Sequence, residues 1–147
     1  MIKTSVLMSV IAWSFFSFSA WGQRPQENRF LEVANGQNGD RVYVQLDSIK
    51  KRNRYGENKV YFSQITLYGQ MQLNKSIKSS SSYTADCNNQ TLTLHRYATY
   101  DASNKLLFNV YYGTPSTPNP PTQKVATDTV GYASWQYVCK QSNEGRR

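Results

Sequence analysis

Two cysteines, Cys87 and Cys139, standing 52 residues apart behind an export leader, constrain this 147-residue chain more than any other feature. The leader opens with Met1-Ile2-Lys3-Thr4 and continues through a short apolar core, Ser5 to Trp21, before polar sequence begins. Ala20 and Gly22 stand three residues and one residue before a cut ahead of Gln23, which is the expected mature start; a cut after Ser19 is the second choice. The competing reading is an uncleaved anchor. It is disfavoured because the stretch is short for a span, is diluted by serines and has no basic stop signal behind it. No cysteine lies near the cut, so a lipoprotein is not expected.

Export sets the chemistry of the thiols. In an oxidising compartment two thiols pair, and two cysteines allow a single intramolecular connectivity. The loop closed would contribute roughly 4 kcal/mol in the chain-entropy model. A free redox thiol is the alternative. Neither Cys87-Asn-Asn nor Val138-Cys139-Lys has a second cysteine or a histidine at ligand spacing, so no metal site is expected.

After residues 1–22 the chain divides into a flexible lead-in, 23–29, and a single domain, 30–147, large enough for one core. Eleven tyrosines together with abundant Thr, Ser, Val and Gln favour pleated strands. The formal charge of +8 favours anionic partners, among them sulfated polysaccharide, lipopolysaccharide and acidic protein surfaces. Export argues against a nucleic-acid role.

Alternation marks the strands. Arg41 to Leu46 places Val42, Val44 and Leu46 on one face and Arg41, Tyr43 and Gln45 on the other. Lys59 to Tyr68 puts Val60 and Phe62 on one side but Ile65 and Leu67 on the other, so either a bulge shifts the register or both faces are partly covered. Gln70 to Ile77 alternates and reads as a strand, whereas Ser79 to Ser82 reads as a loop. Thr91 to Tyr100 sets Leu92, Leu94 and Ala98 against the threonines, Asp101 to Lys105 is turn chemistry, and Leu106 to Tyr112 returns as a hairpin. Gly113 to Gln123 holds four of the five prolines and is an extended connection. From Asp128, the expected N-cap, Val130, Ala133, Tyr137 and Val138 recur at helical spacing, with Cys139 beside them. The fold class is therefore α+β, mostly β. A twisted antiparallel sheet of five or six strands carries a short C-terminal helix, fastened to it by Cys87–Cys139.

Four pieces in this order, Val42-Tyr-Val-Gln-Leu-Asp-Ser-Ile49, Tyr83-Thr-Ala-Asp-Cys87, Tyr100-Asp101 and the final Val138-Cys139, resemble the bacterial surface-adhesin protein E family over nearly all of the mature chain. The resemblance implies a twisted antiparallel sheet with a disulfide-tethered C-terminal helix. It also implies surface attachment and binding of host vitronectin, laminin and plasminogen. The family's namesake is lipid-anchored, and this leader has no lipobox cysteine. An exported envelope protein of the periplasm or the outer surface, or a secreted one, is expected.

The candidate contact site is Lys50 to Lys59, where Lys50, Lys51, Arg52, Arg54 and Lys59 surround Tyr55 and Gly56 at a hairpin tip with a single acid, Glu57. Arginines there can pair with sulfate or carboxylate, and Tyr55 offers a stacking surface. The competing reading is a solvated hairpin whose charges guard an edge. Lys75 and Lys78 would extend the patch if the following turn lay at the same end of the sheet. His95, the only histidine, is expected on the polar face with Thr93, Tyr97 and Thr99. With no nucleophile elbow, phosphate loop or paired acids, no catalysis and no cofactor are expected. Asp86 is expected to cap a turn or fix the strand end. Asn74-Lys-Ser76 and Asn89-Gln-Thr91 match the N-glycosylation pattern by coincidence. An envelope protein is the alternative partner to host extracellular-matrix or serum proteins, and edge-strand pairing would make a homodimer.

Overall fold

The computed structural model describes residues 29–144, so the leader, its cut, most of the lead-in and the last three residues lie outside the described residues. Seven strands precede one helix: β1 (Phe30–Asn35), β2 (Arg41–Arg54), β3 (Glu57–Leu67), β4 (Lys78–Asp86), β5 (Thr91–Tyr100), β6 (Leu106–Tyr111), β7 (Thr122–Lys124) and α1 (Val130–Glu144). The first six pair antiparallel in chain order. β7 pairs with Thr91–Thr93 while β6 pairs with Arg96–Tyr100, so the two share one edge of β5, and the proline-rich segment loops out between them. This is the mixed architecture expected, a sheet of six antiparallel strands with β7 prolonging its edge.

The alternation of β3 resolves in favour of two partly covered faces. β3 runs unbroken against β4 from Lys59↔Asp86 to Leu67↔Lys78. Val60, Phe62 and Gln64 are buried on one side, while Ile65 and Leu67 are half-buried on the other. The irregularity sits in its partner: Gln45 pairs with Ser63 but Lys50 pairs with Tyr61, so four residues of β2 oppose Phe62. Ser48 plugs that bulge, its hydroxyl donating to the Gln45 carbonyl and accepting the Ser63 N–H at 2.6 and 2.8 Å.

Two neighbouring segments exchange their expected roles. Gln70–Ile77, expected as a strand, is a loop in which Lys75 has φ 65° and Asn74 Oδ1 accepts the Ser76 N–H and hydroxyl. Met71 and Leu73 find no core, Leu73 being fully exposed, and of the loop's apolar residues only Ile77, at its end, is buried. Gly69 starts it because a Cβ there would fall 2.1 Å from the Asn38 carbonyl oxygen. The serine block, expected as a loop, is the heart of β4, paired on both sides with Ser79, Ser81 and Ser82 buried. Tyr68 follows β3, Tyr97 lies on β5, and their hydroxyls meet at 3.0 Å across β4. Small side chains leave room beneath those two rings, so composition misleads where packing decides.

A second bulge reorders β5. Ser82 pairs with Arg96 and Tyr83 with Leu94, leaving His95 as the extra residue. Beyond it the parity flips: Ala98 leaves the face of Leu92 and Leu94, and Tyr97 and Thr99 join that face instead of staying with His95.

The core lies between the sheet and α1 and gathers Val44, Val60, Phe62, Ala85, Leu92, Val125, Val138 and Cys139, with Trp135 and Tyr137 packed against it. Thr129 caps the helix, its hydroxyl accepting the Tyr132 N–H at 3.1 Å. Asp128, the expected cap, has φ 68° and only turns the chain into the helix. Cys87 and Cys139 are disulfide-bonded with Cα atoms 5.5 Å apart, which ties the middle of α1 to the end of β4.

Candidate functional site

The basic run is itself strand. β2 and β3 continue to the Arg54↔Glu57 pair, and only Tyr55 and Gly56 make the turn, with φ 52° and 80°. Two successive positive φ angles are the signature of a tight type I′ hairpin, matched to strand twist. The tip is tied at its sides as well. Asn88 donates to the Gly56 carbonyl at 3.1 Å, the Cys87 N–H to Asn58 at 2.8 Å, and the Ser142 hydroxyl to Asn58 Oδ1 at 2.9 Å. The hairpin is therefore laddered to its tip.

Pairing then sorts the candidate side chains by face. Lys51 lies opposite Val60, on the helix side, and its ammonium donates to the carbonyls of Gln141 at 2.8 Å and Ser142 at 3.3 Å. It serves the C-terminal end of α1, where carbonyls lack partners, the macrodipole is negative and the helix has no basic residue in its own last turn. Lys50, Arg52, Arg54 and Lys59 share the opposite face, with Lys50 across from Tyr61 and Arg52 directly across from Lys59. Lys59 meets Glu57 at 3.3 Å. Tyr55 projects fully exposed at the tip.

The face away from α1 continues in the same chemistry. Tyr61 contacts His95, with ring centroids 6.1 Å apart, Arg96 lies 5.3 Å over Tyr111, and Lys78 lies 4.9 Å over Tyr100. Lys78 pairs with Leu67, however, eight positions along β3 from Lys59 and hence about 26 Å from it, on the side away from the tip. Lys75 and Lys78 therefore do not extend the hairpin patch. Burial lowers the Lys78 pKa. Burial also lowers that of His95, whose Nε2 lies 2.7 Å from the Thr84 hydroxyl.

Asp86 closes the turn beside the tip. Burial would raise its pKa, but the Asn89 side chain, the N–H groups of Asn89 and Asn88 and the Lys59 charge together hold it below the ordinary carboxylate range. Asp101 closes the β5–β6 turn, its carboxylate accepting the N–H groups of Ser103 and Lys105 at 2.9 Å. Among the described residues no group of three or more His, Cys, Asp or Glu could hold a metal ion.

On the helix side, beyond the core, a hydroxyl cluster appears that the sequence did not single out. Tyr68, Tyr83 and Tyr97 gather over Ser79 and Ser81, and burial with the Tyr68 contact pushes Tyr97 up to about 12. The signal was the serine block itself, read as loop. Among the described residues the sheet's free edges are β1 and the β6–β7 line; β6 exposes Leu106, Leu107, Phe108 and Tyr111. No described helix is long and apolar enough to cross a membrane.

Comparison with known proteins agrees with this architecture. A family model described as surface-adhesin protein E matches residues 30–140. Among solved structures, Haemophilus influenzae protein E in its crystal form II superposes with a TM-score of 0.59 at 16% identity, covering 81% of this chain and 93% of that one. Protein E from non-typeable Haemophilus influenzae gives a TM-score of 0.56 at 16% identity, with 83% and 82% covered. At such identity the likeness is one of fold. No curated protein sequence matches the chain.

Proposed function

Because this chain belongs to the surface-adhesin protein E family, we propose that it is an exported, non-enzymatic binding protein whose adhesive contact is made by the cationic hairpin on the sheet face opposite α1. One observation carries the reading: Arg52 stands directly across from Lys59 on that face, with Lys50 and Arg54 alongside. Like charges directly opposite one another destabilise a hairpin, so their placement suits an anionic partner better than it suits the fold. The partners favoured are host extracellular-matrix or serum proteins, with vitronectin, laminin and plasminogen implied by the family resemblance, or a sulfated polysaccharide. We take residues 1–22 as a cleaved leader, without a lipid anchor.

The test is binding of the mature chain, from Gln23, to immobilised vitronectin, laminin, plasminogen and heparin across a salt series. Saturable binding should weaken as salt rises and fall by roughly tenfold or more in a Lys50→Glu/Arg52→Glu/Arg54→Glu variant. Lys51→Glu is a separate control, since that side chain serves the helix. Binding indifferent to salt and to the triple reversal would sink the hairpin reading. No binding by a folded, disulfide-bonded protein would favour an envelope accessory role with a protein partner. Self-association through the exposed apolar β6 edge is the homodimer this surface supports, and equilibrium sedimentation checks it.

A further inference from the structure

At the other edge of the sheet, β1 and α1 stand side by side with an open groove of about 340 Å³ between them. Leu31 and Val33 of the strand and Ala133 and Tyr137 of the helix make its apolar lining, and Glu32 and Lys140 stand at its rim. Leu31 is 40% exposed there, although it faces the helix side across from Val44. Among the described residues β1 pairs only with β2, so its outer backbone groups are without a strand partner.

We propose that this groove is a second binding site, which takes an extended peptide segment of a partner protein as an added strand on β1. Two independent features specify the occupant. A bare strand edge offers alternating N–H and C=O groups, which only another extended backbone satisfies in register. The apolar channel beside it receives every second side chain of such a strand, so the segment carries apolar residues at alternate positions. Charge adds a third requirement. Glu32 lies 4.0 Å from Arg41, whereas Lys140 has no ion pair among the described residues, so Lys140 is the charge left to meet an acidic residue in the peptide. Six residues of β1 match a segment of about 20 Å. The irregular register between Glu32 and Ala34 limits the ladder to a short one, which suits a peptide more than a whole sheet.

The experiment is selection of a phage-displayed library of linear nine-residue peptides on the full mature chain, followed by binding of the enriched peptides in synthetic form. Enriched sequences should alternate apolar residues and include an acid. Their affinity should fall at least tenfold in Ala133→Phe, which fills the channel, and in Leu31→Glu, an exposed position that keeps the fold should the first variant misfold. N-methylation of alternate peptide amides should cost a similar factor. Lys140→Glu should turn the selection toward basic peptides, and bound peptide should slow amide exchange in Phe30–Asn35. The hairpin variant Lys50→Glu/Arg52→Glu/Arg54→Glu should bind these peptides unchanged, which separates this site from the adhesive one. No enrichment, peptides indifferent to both groove variants, or enrichment only after removal of residues 23–28, so that the chain's own preceding segment is the occupant, would each overturn the proposal.

Discussion

Ser134 is fully buried on α1, and its hydroxyl has no partner among the described residues. A buried hydroxyl that loses water without gaining a bond costs free energy, and serine is a weaker helix former than alanine. Ser134→Ala should therefore stabilise the protein by about 1 kcal/mol in urea unfolding; a loss of stability would mean that the hydroxyl is satisfied. His95 titrates in the opposite sense from a salt-bridged histidine. Burial lowers its folded pKa below the unfolded value, so its contribution is fully present above about pH 6.5 and is lost as pH falls through the folded value. As the only histidine it gives a single NMR titration, with a midpoint expected below 6.5 and a steeper loss of stability in acid than in His95→Gln. A midpoint at or above 6.5 would contradict this. Asp86 and Asp101 were legible as turn residues because an Asx turn is local chemistry. His95 was legible only as polar, because the bulge that sets its neighbours comes from the pairing with Ser82 and Tyr83.

At the scale of elements, the bounds of β5 were readable to the residue and those of β4 were not. Thr91 to Tyr100 is rich in threonine and tyrosine and bounded by turn residues, so its own pattern gives its extent, while the bulge at His95 decides its faces. A run of serines has no such pattern, and its strand state comes from the two neighbours that pair with it and from the Tyr68–Tyr97 contact above it. Ser81→Val makes the point testable. Valine is the better strand former in isolation, yet overpacking beneath the tyrosines should cost about 1–3 kcal/mol, read from denaturant midpoints. A gain would show that intrinsic propensity outweighs packing in β4. The basic hairpin was legible as a hairpin from Tyr55-Gly56 and its flanks. The separation of Lys51 from Lys50 and Arg52 follows from the side-chain period of two, but which face α1 covers does not.

The molecule as a whole has two unlike faces. One is covered by a helix and closed by a disulfide; the other carries arginines, lysines and tyrosines. The tether matters because α1 is the only helix among the described residues. Replacing both cysteines, Cys87→Ser with Cys139→Ser, should cost roughly 4 kcal/mol for a loop of this length, with amide exchange rising first in Val130–Glu144. Uniform loss across the sheet would show that helix and sheet unfold as one unit. Strand-rich composition, the cationic balance, the hairpin turn, the terminal helix and the single possible pairing of two exported thiols all follow from the sequence, because each rests on local chemistry or simple counting. Which segment became the central strand, where the register slipped and which cations shared a face were decided by tertiary structure. Those outcomes depend on partners distant in the chain, and a one-residue slip sends every following side chain to the other side of the sheet.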